Sequence, residues 1–281
     1  MRENGLHISL EKAKAFDPYI QVGAIWSDNS LSDEEAWIRY GEVLQYFKKQ
    51  DGVRQIKSSD GLDGDLPGII LAVEGARLLC GDLDRLDVLY RDGVRILTLT
   101  WAGSDIIGGA HGTDDPLTVF GCSVVERCFD LGIIPDVSHA SRKVTKQVLD
   151  MAKSSKKSVI ASHSDSYSVF SHQRNLTDHE FSYIISLGGI VGVSLYPPHL
   201  AGKETAGIDD VMRHIMHYIN LGGIGSVALG CDFDGIECTP TGLDDVSCLV
   251  KLWDALSQKI GEDGADRVFF GNAHDFLKTN L

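Results

Sequence analysis

Short apolar runs alternate with longer amphipathic stretches along this chain. The runs span 19–26, 68–73, 94–100, 133–137, 158–161, 189–196 and 226–230, all rich in Ile, Val or Leu. Continuous apolar runs of this length predict strands buried on both faces, as in a parallel sheet. Helical periodicity fills the intervals. Residues 33–49 place Ala36, Ile38, Val43, Leu44 and Phe47 at helical spacing behind Ser32-x-x-Glu35, the pattern of a capping box. Stretches 83–90, 117–131, 141–152, 178–186, 209–221 and 246–260 read the same way, and Thr177-x-x-Glu180 is a second capping box. Gly93, Gly132, Gly188 and Gly222 stand just past expected helix ends, where a left-handed residue closes the last turn.

Regular β–α alternation predicts a parallel sheet with right-handed crossovers. No linker or change of composition divides the chain, so residues 1–281 are expected to form a single domain. A doubly wound sheet and a (β/α)8 TIM-type barrel both fit the alternation. The polar residues favour the barrel, because they stand at the C-terminal ends of many successive strands rather than at one switch point. Seven strands are nevertheless counted, one fewer than a closed barrel needs.

Composition narrows the function. The 281 residues are 43% hydrophobic and 23% charged, which excludes disordered and fibrous chains. Twenty-six Lys and Arg against 40 Asp and Glu leave a net charge of −14. Such a surface repels phosphate backbones and anionic lipid, so no nucleic-acid or membrane partner is expected. No run of 18 apolar residues and no signal-peptide pattern is found, and six cysteines lie without C-x-x-C spacing. A soluble cytoplasmic protein is the expectation, with the sequon Asn175-Leu176-Thr177 a chance match.

Four strand ends carry the candidate chemistry. The second run ends in Glu74, the fourth leads into Ser138-His139, the fifth into Ser162-His163, and the seventh into Asp232-Phe233-Asp234. A carboxylate directly after four apolar residues is costly to desolvate unless it is paired or metal-bound. Two imidazoles with a carboxylate suit zinc. Taken singly each could be a satisfied polar strand end, and a metal-free acid/base site is the intermediate reading. Arg174, before the 178–186 helix, could grip a carboxylate bidentately or simply cap structure. His214-x-x-His217 is read as a core or solvated pair. His111, His172, His179, His199 and His274 carry no signal of their own. No serine nucleophile elbow, Walker loop or dinucleotide fingerprint is found.

Together these motifs resemble the membrane (renal) dipeptidase family of zinc metallopeptidases, within the amidohydrolase-like barrels. The carrying segments are Ala72-Val73-Glu74-Gly75, 90–101 ending in Leu99-Thr100-Trp101, Asp136-Val137-Ser138-His139, Ala161-Ser162-His163-Ser164, Arg174-Asn175-Leu176-Thr177-Asp178, Gly230-Cys231-Asp232-Phe233-Asp234-Gly235 and 240–247. They follow the family's order from about Gln21 to Lys278. The resemblance implies a TIM-type barrel holding two zinc ions and cleaving dipeptides with metal-activated water. It further implies that Glu74 bridges the metals, that His139 and His163 complete one metal's shell, and that Arg174 holds the substrate carboxylate. Asp232 would be the acid/base residue near the substrate amine. A homodimer is also implied by the family.

Two departures qualify the match. The family's other metal is held by a His-x-Asp pair at the end of the first strand, and no His-x-Asp occurs in this chain. His7-Ile8-Ser9 is the nearest candidate, but serine is a poor zinc ligand. With only seven strands counted, the expectation is a chain that begins after the family's first strand, holding one metal or two. Trp101 also replaces a histidine that many members use to contact the substrate carbonyl. Indole has one N–H donor and cannot shuttle a proton, so Trp101 is either an oxyanion donor or a pocket wall. Two other readings stay open: a truncated or degenerate barrel serving as a binding or structural module, and a relative acting on a cyclic amide or lactone.

Overall fold

The computed structural model describes residues 5–202 and 205–281. Its strands are β1 (Ile20–Trp26), β2 (Arg54–Gln55), β3 (Gly68–Glu74), β4 (Val94–Thr98), β5 (Ile134–Asp136), β6 (Val191–Val193) and β7 (Val227–Leu229). The helices are α1 (Leu10–Ala13), α2 (Asp33–Phe47), α3 (Asp84–Asp92), α4 (Val119–Leu131), α5 (Arg142–Ser155), α6 (Asp178–Ser186), α7 (Pro197–Ala201), α8 (Ile208–Asn220), α9 (Leu249–Ile260), α10 (Glu262–Asp266) and α11 (Asn272–Asn280). None of them is long and apolar enough to cross a membrane.

Contacts group these elements into two compact units: residues 20–160 with 278–281, and residues 1–19 with 161–277. In the first unit the strands run parallel in the order β1-β3-β4-β5, with β2 beside the start of β3. Strands β4 and β5 are buried throughout, and β3 up to its last residue, Glu74, as their continuous apolar runs require. At the far side of β5, Ile160 bridges Asp136 in parallel. Strand β1 is an edge of this sheet and leaves Val22 and Trp26 exposed.

In the second unit β6 pairs in parallel with β7, and Ala161 bridges β6 at Val191. All seven expected strands are therefore extended and paired, although 158–161 reduces to single bridges. Both capping boxes form, at Ser32/Glu35 and Thr177/Glu180. Gly93 and Gly132 close α3 and α4 in the left-handed conformation. The sequence reading missed the helices after Gly261. Their apolar positions are few and broken by charged residues, so packing rather than periodicity defines them.

Segments 161–164, 191–193 and 227–230 approach unusually closely. A Cβ on Gly192 would lie 2.0 Å from the Ser162 carbonyl oxygen, and one on Gly230 would lie 1.9 Å from it. Only glycine permits both approaches. Ser164 N–H donates to Gly192 O at 2.7 Å, fixing the residues around His163.

Helix α8 carries His214 into the core of the same unit, with no exposure. Its Nδ1 accepts from Ser166 N–H at 3.0 Å and its Nε2 faces Leu200 O at 2.9 Å, so the neutral Nε2–H tautomer satisfies both partners. Burial pushes this imidazole down to about 4, against the Leu200 carbonyl, which draws it up. His217, one turn on, meets Asp178 at 2.8 Å. His214 is thus the core histidine expected, whereas His217 is partnered by a carboxylate rather than left to core or solvent.

Because the folded His214 imidazole titrates below its ordinary value of 6.5, the unfolded chain takes up the proton first. His214 thus costs nothing above pH 6.5 and destabilises progressively as pH falls from 6.5 to about 4, by about 3 kcal/mol in all. Thermal melts at pH 7 and pH 5 should show a smaller acid loss in His214→Asn than in the parent. Gly230→Ala forces a methyl against the Ser162 carbonyl and should cost about 2 kcal/mol or more, read as a lowered urea midpoint.

Candidate metal centre

Glu74 ends β3, in register with Trp26 on one side and Thr98 on the other. The chain after β5 turns at Val137–Ser138 and presents His139 with φ +69°, an unusual conformation for a β-carbon residue. Buried Asp136 builds that turn. Its Oδ1 accepts from Ser138 N–H at 2.9 Å and its Oδ2 accepts from the Thr98 hydroxyl at 2.6 Å. The result brings His139 Nε2 to 3.0 Å from Glu74 Oε1, with both side chains almost buried. A carboxylate and an imidazole at that distance are donors suited to a divalent metal, and the pair satisfies the cost of burying Glu74.

Aromatic groups wall this pair. The Trp101 ring meets Trp26 edge-on at 5.0 Å and lies 6.2 Å from the His139 ring. A polar cavity opens beside Glu74, lined also by Ser27, Asn29, Arg77, Trp101 and Asp105. Burial raises the Asp105 carboxyl, although Ile107 and Gly108 N–H groups donate to it. His111, which carried no sequence signal, donates its backbone N–H to His139 O at 2.6 Å, and the two rings lie 5.7 Å apart.

His163 and Arg174 come together in the second unit. The Arg174 guanidinium donates to Ser164 Oγ at 2.8 Å and to His163 O at 2.9 Å, and the side chain is 5% exposed. His172 Nδ1 accepts from Arg174 N–H at 3.2 Å, and burial beside this cation lowers its imidazole. Asn175 is fully buried, with its amide donating to Phe170 O and His199 O, so the sequon is no glycan acceptor in this fold. Asp165 was not singled out from the sequence. It is buried behind Arg174, and one oxygen accepts from Ser194 N–H at 3.1 Å. Burial pushes its carboxyl well above the carboxylate range, while Arg174 and the Ser194 amide pull it down.

Asp232 stands two residues beyond Gly230, whose Cβ position would lie 2.8 Å from His163 Cα. It adopts φ +58°, and Asp234 adopts φ +66°. Neighbouring Cys231 is partly buried, and desolvation pushes its thiol up to about 12, so the thiol stays protonated at neutral pH. The structure thus gathers Glu74, His139 and Trp101 in one unit and His163, Arg174 and Asp232 in the other. His163 follows Ile160, the partner of Asp136, by three residues. His7 is committed elsewhere: its ring accepts from Asp234 N–H. Ser9 caps α1.

Comparison with known proteins fits this geometry. The family model for membrane dipeptidase (peptidase family M19) matches residues 36–278. An uncharacterised dipeptidase of Schizosaccharomyces pombe is 37% identical over 189 residues, covering 64% of this chain and 44% of that protein. A dipeptidase of Claviceps purpurea is 31% identical over 246 residues, covering 85% of this chain and 56% of that protein. The chain spans about half the length of the curated relatives it matches. The crystal structure of a dipeptidase described as an M19 metallopeptidase superposes with a TM-score of 0.91 at 25% identity, covering 100% of this chain and 91% of that one. A Rhodobacter sphaeroides metallopeptidase bound to a phosphinate mimic of L-Ala-D-Ala superposes with a TM-score of 0.90 at 24% identity, covering 99% and 92%. The parallel α/β fold is that of these TIM-type metallopeptidases, and the chain belongs to the membrane dipeptidase family, peptidase family M19.

Proposed function

We propose that this chain acts as a zinc-dependent metallodipeptidase that hydrolyses the peptide bond of free dipeptides with metal-activated water. The observation carrying this reading is the nearly buried Glu74–His139 pair, 3.0 Å apart at the ends of strands in one parallel sheet of a peptidase M19 member. Glu74, His139 and His163 would hold the metal, a carboxylate and two imidazoles that fit zinc. Bound zinc supplies a low-pKa water and polarises the scissile carbonyl.

The chain's own groups do the rest. Arg174 grips the substrate's terminal carboxylate, its guanidinium fixed by Ser164 and the His163 carbonyl. Asp232 faces the substrate amine, accepts the proton released by the attacking water and delivers it to the leaving nitrogen. A cationic clamp for one substrate end and a carboxylate for the other select molecules with both termini free, which favours dipeptides over longer chains. Trp101 forms a wall of the pocket beside Glu74. The phosphinate on the Rhodobacter protein mimics L-Ala-D-Ala, and a D-residue at the second position is expected to be accepted here too.

Elemental analysis of the purified, zinc-dialysed protein should find between one and two zinc ions per chain. Protein that hydrolyses dipeptides without bound metal would overturn the reading. Glu74→Gln and His163→Ala should each abolish turnover and lower metal content; turnover retained in either removes its assigned role. Arg174→Ala should raise KM for dipeptides with a free carboxylate by roughly 10- to 100-fold, the loss of a charge-assisted pair. An equal loss on amidated dipeptides would argue against the clamp.

A further inference from the structure

The loop that carries Asp232 is held from far along the chain. Asp234 accepts two backbone hydrogen bonds on its carboxylate, from His7 N–H at 2.6 Å and from Ile8 N–H at 3.2 Å. It returns one, its own N–H donating to His7 Nδ1 at 2.9 Å. Val246 N–H donates to His7 O at 3.1 Å, so the backbone N–H, carbonyl and ring of His7 are all engaged. Lys12 reinforces the same segment with a 3.2 Å ion pair to Asp245. The His7 ring also lies 5.5 Å from Phe233, which separates the two aspartates.

This hold falls where the backbone needs one. Asp232 and Asp234 both occupy the left-handed region within three residues, a conformation that side chains other than glycine seldom adopt and that surrounding structure must enforce. Gly235 N–H closes the turn by donating to Asp232 O at 3.0 Å. A Cβ at 235 would lie 2.5 Å from Asp232 Oδ1, so the Asp232 carboxylate is seated against the glycine. Release of Asp234 would free the peptide on the far side of Phe233 and, with it, the direction in which the Asp232 carboxylate points.

We propose that His7 and Asp234 form a latch of two positioning residues that fixes the left-handed turn from which Asp232 meets the substrate. The proposal rests on the metallodipeptidase reading, which assigns Asp232 its role. The latch does not touch substrate; it acts through the aim of one carboxylate. Its signature is therefore a loss in kcat that exceeds any rise in KM, because Arg174 still anchors the substrate carboxylate while proton transfer depends wholly on the placement of Asp232.

The test uses the full-length, zinc-loaded protein and its variants His7→Ala, His7→Asn and Asp234→Ala, assayed on an Ala-Ala dipeptide. Backbone amide hydrogen exchange over 230–236 is followed in parallel. His7→Ala and Asp234→Ala should lower kcat roughly 10- to 100-fold, the scale on which a misplaced catalytic group costs rate, with a rise in KM clearly smaller than the fall in kcat. Exchange at 230–236 should rise while that of β3 and β4 stays unchanged. His7→Asn keeps an acceptor for the Asp234 amide and should recover most of the loss. Unchanged kcat and unchanged exchange in both alanine variants would overturn the latch, as would a loss shared by kcat, KM and melting temperature with no rescue by asparagine. If the parent protein proves inactive, the dipeptidase reading fails separately. Exchange alone then decides the latch: a rise confined to 230–236 supports it, and no rise refutes it.

Discussion

A carboxylate at the end of a fully buried strand cannot stand alone. Glu74 follows Ile69, Ile70, Leu71, Ala72 and Val73, all inside the sheet, and its charge would be stranded there without a partner. The turn after β5 supplies one in His139. Much of the surrounding architecture serves that meeting. Parallel register brings Glu74 level with Thr98 and Thr98 level with Asp136, and Asp136 then shapes the turn that presents the imidazole. Asp136 is thus as necessary to the site as the donor it positions.

The second unit solves a similar problem with a cation. Arg174 is nearly as buried as the core, and its guanidinium donates to the Ser164 hydroxyl and to the His163 carbonyl. Burial drives the Asp165 carboxyl toward its neutral form, while the Arg174 charge and the Ser194 amide draw it back. Burial and the same cation together lower the His172 imidazole.

Of the five non-glycine residues with positive φ among the described residues, Cys80 and Lys156 close helices and the other three stand at or beside candidate site residues. His139, Asp232 and Asp234 are left-handed, and Gly192 and Gly230 admit the Ser162 carbonyl where no β-carbon fits. Gly230 and the three left-handed residues lie at or within two residues of a group assigned to chemistry, and Gly192 meets the His163 segment through the Ser164 amide. The pattern matches a fold in which strand ends, rather than loops of free conformation, set the direction of the functional side chains.

The sequence by itself determined the parallel strands, the principal helices, both capping boxes, the positions of Glu74, His139, His163 and Asp232 at strand ends or just beyond, and that of Arg174 in the loop before α6. These are local properties: a buried strand, a helical face and a cap are each encoded within a few turns of chain. The His-x-Asp gap and the Trp101 substitution were equally legible, because they are matters of residue identity. Tertiary structure alone decided that Asp136 and Asp165 are buried beside functional groups, that His214 is neutral in the core, and that His111 lies against His139. It alone joined His7 to Asp234, 227 positions apart. Such partners depend on how distant segments meet, and no periodicity carries that information. A histidine destined for a ring contact, a core hydrogen bond or a latch has the same appearance in the chain until folding selects its neighbours.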